Sequence, residues 1–236
     1  MKNKFSYKSI FISDLHLGLE SSNVELLIEL LETIKTENLY IVGDFIDFMH
    51  LHEHKGWSGK CNLLIRRILS KVNKGTKVKI CIGNHDAFLG VIKGFKFGNI
   101  EIASYFIHHN QFIDYLVIHG DEFDHSIRTA AGRILAYIYS HLEWSKLVKY
   151  IRNYIDKKTE RYINIKEMEE FAIEKGTQGI IYGHTHNPHK TTSKIILINC
   201  GDLVKSNTAV IEHNNGEMEV VLIEGFLNAV KSNYHL

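Results

Sequence analysis

The chain has 236 residues, with 28 Lys+Arg against 27 Asp+Glu, 44 % hydrophobic and 23 % charged residues. That length and balance suit one globular domain, or one domain with an insert, and exclude a disordered chain. A net charge of +1 gives no global field to draw nucleic acid, and no run nears the ~18 apolar residues needed to span a bilayer.

The three cysteines, Cys61, Cys81 and Cys200, have no metal-type spacing and form no even disulfide framework, which implies a reducing compartment. The charged start, Met1 to Lys8, leads into the first strand without an apolar signal segment. The expectation is a cytoplasmic protein, free to work at the inner face of the membrane. The unusual count is 15 histidines, the residue best suited to neutral metal ligation and proton carriage.

In chain order, Ile10-Phe11-Ile12-Ser13 is a short apolar strand that runs into Asp14-Leu15-His16. From Asn23 to about Lys35, Val24, Leu27, Ile28, Leu31 and Ile34 recur at helical spacing. Leu39-Tyr40-Ile41-Val42 is a buried strand that stops at Gly43 and delivers Asp44 at its carboxyl end. His50, His52 and His54 then fall in a polar loop, and Cys61 to Val72 is a second amphipathic helix stopped by Asn73-Lys74-Gly75. Val78 to Ile82 is a strand that leads into Gly83-Asn84-His85-Asp86. Alternating strands and helices argue for crossover units and a mainly parallel sheet.

Glu101 to Ile107 and Asp114 to Ile118 follow as strands with a short connection, hence antiparallel, and the second leads into His119-Gly120-Asp121. Asp124 to Gly176 reads as a helical insert throughout. Four strands are expected behind it, at 179–182, 195–199, 209–212 and 218–223. The first runs into Gly183-His184-Thr185-His186, and the tail from Asn228 is expected to fray.

Five apolar runs thus end in residues that bind metals, and open α/β sheets build their sites in that crevice. Residues i and i+2 of a strand point to one side, so Asp14/His16 and His184/His186 each offer two ligands from one turn. Asp44, with two oxygens, is the natural bridge between two cations; Asn84 adds a carbonyl oxygen and His119 a ring nitrogen. Seven nitrogen or oxygen ligands without thiolate select divalent manganese, iron, zinc or cobalt. Two cations ~3.5–4 Å apart suit phosphoryl chemistry, because they grip phosphate oxygens and acidify a bridging water. Asp47 reads as a residue that orients the turn or a ligand, and Trp57 and Trp144 as packing residues or cleft borders.

The blocks Asp14-x-His16, Gly43-Asp44-x-x-Asp47, Gly83-Asn84-His85-Asp86, His119-Gly120-Asp121 and Gly183-His184-Thr185-His186 resemble those of the calcineurin-like metallophosphoesterases. The resemblance implies an α/β two-sheet sandwich flanked by helices, with the first metal held by Asp14, His16, Asp44 and His186. The second metal is then held by Asp44, Asn84, His119 and His184, while His85, oriented by Asp86, contacts the phosphate or protonates the leaving group. Ser13-Asp14-Leu15-His16-Leu17, His119 to Asp124 and Asn199-Cys200-Gly201-Asp202 narrow the likeness to the UDP-2,3-diacylglucosamine pyrophosphohydrolase-like branch. Enzymes of that branch act in lipid A synthesis, use manganese, release UMP from a nucleotide-linked lipid, and carry a helical lid after the His-Gly-Asp block. They have Asn-Arg-Asp where this chain has Asn84-His85-Asp86, a departure that keeps the hydrolase class and leaves the lipid substrate open.

The insert supports either of two readings. Arg128 to Arg161 holds eight basic against three acidic residues along an apolar stripe. A solvated hairpin on the sheet edge accounts for this, and so does a lid that holds acyl chains and faces phosphate or an anionic membrane. The leading expectation is a dinuclear phosphohydrolase acting on a nucleotide-linked lipid or related pyrophosphate through a metal-activated hydroxide. A phosphodiesterase or phosphatase for small nucleotides is the first rival, and a non-catalytic scaffold on the same fold the last; no nucleic-acid partner is expected.

Overall fold

A computed structural model describes residues 5–48, 57–124 and 163–232. Its secondary structure begins with β1 (Phe5–Ile12), α1 (Val24–Thr33), β2 (Ile34–Val42), α2 (Gly59–Val72) and β3 (Lys77–Cys81). A short 3₁₀ helix (Ala87–Ile92), β4 (Lys96–Phe97), β5 (Ile100–Ala103), β6 (Tyr105–His109) and β7 (Asp114–Ile118) follow. After α3 (Ile165–Glu174) come β8 (Gly179–Tyr182), β9 (His189–Thr192), β10 (Ile196–Asn199), β11 (Thr208–Glu212), β12 (Met218–Leu222) and α4 (Ile223–Ser232).

The strands form two sheets. One has seven strands in the order β12-β11-β1-β2-β3-β5-β4, the other five in the order β6-β7-β8-β10-β9. The interior of each is parallel (β1, β2, β3 and β5 in the first, β7, β8 and β10 in the second), with antiparallel strands at the edges.

Strand alternation explains why the sheets stack. In β1, Ile10 and Ile12 face α1, α2 and α4, while Phe11 between them faces the other sheet. In β7, Tyr115 and Val117 face the seven-stranded sheet, and Leu116 and Ile118 pack with Met168 and Ala172 of α3. The result is four layers, helix on sheet on sheet on helix, as runs apolar on both faces demand. Leu27, Leu30 and Leu31 of α1 are essentially fully buried, and truncating such a leucine costs about 2–5 kcal/mol.

The elements differ from the sequence expectation at four places. The first helix stops at Thr33, because Ile34 turns extended and β2 pairs with β1 from Phe5↔Ile34 onward. The expected strand 101–107 is two strands in different sheets, β5 on β3 and β6 on β7, parted at Ser104. β9 was not expected; its residues are largely polar and exposed, as an edge strand permits. The tail carries α4, whose Ile223, Leu227 and Val230 are buried, rather than fraying from Asn228. Of the insert, Ile165–Glu174 is helical, Asp124 pairs with Ile163 in an antiparallel bridge, and 125–162 lies outside the described residues. His50, His52, His54 and Trp144 lie outside them too.

Between the sheets, at the ends away from the metal-binding turns, a buried polar chain interrupts the core. Tyr40 Oη lies 3.0 Å from His108 Nδ1, His108 Nε2 lies 3.0 Å from Glu212 Oε2, and Asn110 Nδ2 donates to Glu212 Oε1 at 2.8 Å. Burial alone raises the Glu212 carboxyl, but hydrogen bonds from His108 and Ser9 and the His108 charge outweigh it and hold the group below its ordinary value. A depressed carboxylate contributes stability above its unfolded pKa, about 4.3, and loses it as pH falls through the folded value. Glu212→Gln is therefore expected to lower the melting temperature at pH 7 and to approach the wild type as the pH falls through the depressed folded value; a pH series of thermal melts checks this.

Candidate metal centre

The five expected turns meet at one edge of the stacked sheets. Asp14, Asp44, His119 and His184 are 0 % exposed and His16 is 3 % exposed. Five of the candidate ligands have left-handed backbone: Asp14 (φ 51°), His16 (45°), Asp44 (50°), His184 (61°) and His186 (56°). Non-glycine residues avoid that region, at a cost of about 1–3 kcal/mol each, so the surrounding packing must enforce it. Backbone bonds do part of this, as His16 N donates to Asp44 O at 2.9 Å and Asp14 N to Gly43 O at 3.2 Å.

The glycines beside the ligands leave the room these turns need. A Cβ on Gly43 overlaps the His119 ring, one on Gly83 overlaps Asp44 Oδ1, and one on Gly183 overlaps Ser13 Oγ and Asp14 Oδ2.

Each carboxylate is divided between the protein and the site. Asp14 Oδ2 accepts from His184 N at 2.9 Å and from Ser13 Oγ at 2.6 Å; Asp44 Oδ1 accepts from His85 N at 2.8 Å. Asp14 Oδ1, Asp44 Oδ2 and His16 Nε2 are buried and make no hydrogen bond. Asp14 Oδ1 lies 2.9 Å from His186 Nε2, and Asp44 Oδ2 lies 3.3 Å from His119 Nε2, which is also 3.3 Å from Asn84 Oδ1. Three compact donor groups result among the described residues, Asp14/His16/His186, Asp14/Asp44/His119 and His16/Asp47/His85, each with ligand atoms within 4.8 Å of one another. Buried anionic oxygens without donors, aimed at imidazole nitrogens, fit divalent cations. With Oδ1 taken by His85 N, Oδ2 is the Asp44 oxygen that would face a cation.

The histidines are fixed from behind. His16 Nδ1 is 3.1 Å from Asp47 Oδ2, His119 Nδ1 is 2.9 Å from Val42 O, His184 Nε2 is 2.9 Å from Asp124 Oδ2, and His186 Nδ1 is 3.4 Å from Asp202 Oδ2. Such backing fixes the tautomer and the ring orientation of a ligand. The charges act on one another: burial opposes ionising His16, but the surrounding carboxylates of Asp14, Asp47 and Asp44 outweigh it and push it up to about 10. Asp14 is held well below the carboxylate range, its burial outweighed by His119 and His186.

The structure brings all seven expected ligands and His85 to one place and gives Asp86 contacts to the backbone. That carboxylate accepts from Gly83 N and Phe45 N, both at 2.7 Å, and so ties two of the turns together; burial, then the charge of Asp44, pushes it up to about 6. The carboxylate against His85 Nδ1 is Asp47, at 3.1 Å through the same oxygen that holds His16. Asp124, Asn199 and Asp202 had no assigned part. Asn199 Nδ2 donates to Gly183 O at 2.8 Å and to Thr185 Oγ1 at 3.1 Å, which locks the Gly-His-Thr-His turn. All three lie inside motif blocks, the one signal that pointed to them. Trp57 is 36 % exposed, with Nε1 bonded to Asn62.

A buried two-cation donor set at the strand ends of an α/β sandwich defines a metal-dependent phosphoesterase, and residues 7–188 match the profile of the calcineurin-like phosphoesterases. The chain belongs to that family. It is 26 % identical over 216 residues to the UDP-2,3-diacylglucosamine hydrolase of Histophilus somni (strain 129Pt), covering 83 % of this chain and 92 % of that one. The enzyme of the same name from Aliivibrio fischeri (strain MJ11) is 26 % identical over 214 residues, with coverages of 78 % and 83 %. The fold also aligns with an archaeal phosphodiesterase (TM-score 0.48, 16 % identity, 90 % of this chain and 98 % of that one), a likeness that carries no argument about activity. None of the described helices is long and apolar enough to cross a membrane.

Gly183→Ala tests the packing of the site. The added methyl displaces Ser13 and Asp14, so bound metal measured by elemental analysis is expected to fall while circular dichroism stays native. Overpacking of this kind costs about 1–3 kcal/mol. Full metal content in the variant contradicts the close approach described.

Proposed function

We propose that the chain is a dinuclear phosphohydrolase that cleaves the pyrophosphate bond of a nucleotide-linked lipid of the UDP-2,3-diacylglucosamine kind. The observation that carries the hydrolytic part is the convergence of a full two-cation donor set with His85, an imidazole backed by a carboxylate. Asp14, His16, Asp44 and His186 would hold one cation, and Asp44, Asn84, His119 and His184 the other, with manganese the first candidate. Such cations neutralise phosphate charge and acidify water.

The protein's own part is proton transfer and orientation. Asp47 Oδ2, 3.1 Å from His85 Nδ1, would favour the tautomer protonated there and leave Nε2 to serve the leaving group. The same Asp47 oxygen holds His16, so donor histidine and metal ligand share one anchor. Their rings meet edge-on at 4.6 Å.

The narrower lipid reading is supported by the two named relatives and by an apolar surface just beyond Asp86. Phe88 is 54 %, Val91 89 %, Phe95 49 % and Phe97 69 % exposed, interleaved with Lys93 and Lys96, and Phe88 meets Phe48 at 4.2 Å. Such a surface suits acyl chains or an anionic membrane interface better than water. The second reading, a phosphodiesterase for small nucleotides, rests on His85 standing where the lipid enzymes carry arginine. A non-catalytic scaffold ranks last, because the donor set is complete.

The test is manganese-dependent hydrolysis of UDP-2,3-diacylglucosamine beside a generic aryl phosphodiester. The lipid reading expects UMP release from the former and loss of that activity when the acyl chains are removed. Turnover of the aryl ester alone supports the second reading, and turnover of neither supports the scaffold. His85→Ala and Asp47→Asn are expected to keep bound metal and to lower turnover about 10²–10⁴-fold, less for substrates whose leaving group needs no proton. A wild-type rate in His85→Ala contradicts the role given to that imidazole.

A further inference from the structure

His184 and His186 stand two residues apart in one turn, yet the proposed centre needs them on different cations. Both residues have left-handed backbone, so the turn delivers both rings to the same edge. What separates them is the nitrogen each presents. A half-turn of an imidazole about its Cβ–Cγ bond puts Cδ2 where Nδ1 stood and Cε1 where Nε2 stood at little torsional cost, so a second partner has to fix which ring atom faces the site.

Two buried aspartates make opposite choices. Asp124, 1 % exposed, takes Nε2 of His184 at 2.9 Å, which leaves Nδ1 as the nitrogen for a cation; the His184 and His119 rings lie 5.3 Å apart. Asp202, 0 % exposed, faces Nδ1 of His186 at 3.4 Å and leaves Nε2 toward Asp14 Oδ1 at 2.9 Å. Asp202 is itself held rigidly: Oδ1 accepts from Val204 N at 2.6 Å, Ser206 N at 3.2 Å and Lys205 N. Its Oδ2 is buried, makes no hydrogen bond, and is aimed at the histidine.

We propose that Asp124 and Asp202 are positioning residues that sort the two histidines between the two cation sites, Asp124 serving the second site through His184 and Asp202 the first through His186. This rests on the metal centre of the preceding section. It also ties the second site to the neck of the insert. Asp124 is bridged to Ile163, and Asn164 N donates to Phe123 O at 2.9 Å, so the described residues on either side of the insert pair at the residue that holds His184.

The test is manganese titration by calorimetry on the full chain, for wild type, Asp124→Ala, Asp202→Ala and the corresponding Asn variants, with thermal melts in chelator to confirm folding. Wild type is expected to bind two ions. Asp124→Ala should weaken one site about 10–100-fold and leave the other, and Asp202→Ala should weaken the other. Added to His184→Ala, Asp124→Ala should have no further effect, and likewise Asp202→Ala on His186→Ala. Asp124→Asn, whose amide oxygen still accepts the Nε2 proton, should recover most of the affinity; a purely structural role predicts none of this pairing. Two wild-type affinities in both alanine variants, or equal weakening of both sites by either one, overturns the assignment. A wild type that binds fewer than two ions overturns the underlying metal-centre reading, and the sorting falls with it.

Discussion

Asp14 and Asp44 place two carboxylates at zero exposure within one small space. Burying anionic oxygens without compensation is costly, and neighbouring like charges add to the cost. The protein meets half of this itself: backbone N–H groups from His184 and His85 take one oxygen of each pair. The oxygens left over face imidazoles and have no donor, which leaves divalent cations as their natural complement. Much of the surrounding architecture serves to hold that arrangement in place.

The holding structure is the four-layer stack. Parallel strands apolar on both faces bring their carboxyl ends to a single edge, and the turns leaving that edge are too tight for ordinary backbone, hence left-handed conformation at five ligands. Glycine at 43, 83 and 183 lets side chains from other turns approach where a Cβ would collide. Asp86 and Asn199 then lace the turns to one another through backbone hydrogen bonds. Strain of this kind survives only where the surroundings enforce it, so site and core form one cooperative unit.

Much of this was legible in the sequence, because ligands that follow strands directly keep a local signature. The apolar runs before Asp14, Asp44, Asn84, His119 and His184 each ended in the expected ligands. The sequence hid whatever depends on long-range choice. Nothing local says that Ser104 parts two sheets, or that Ile34 leaves the helix to pair with Phe5. Polar β9 takes its conformation from pairing with β10. The contact of Asp47 with His85 has the same origin: the fold brings Asp47 across from another turn to 3.1 Å from His85 Nδ1, while Asp86, next to His85 in sequence, accepts from two backbone N–H groups.

On the proposed lipid reading, substrate choice would fall to groups beyond the metal centre, such as the exposed apolar segment after Asp86. The more general claim is that Asp44 would serve both cations of the centre. Anomalous diffraction from crystals grown with manganese tests it most directly. The account predicts two peaks about 3.5–4 Å apart, on either side of the Asp44 carboxylate, one beside Asp14, His16 and His186 and one beside Asn84, His119 and His184. A single peak, or peaks away from Asp44, would contradict it.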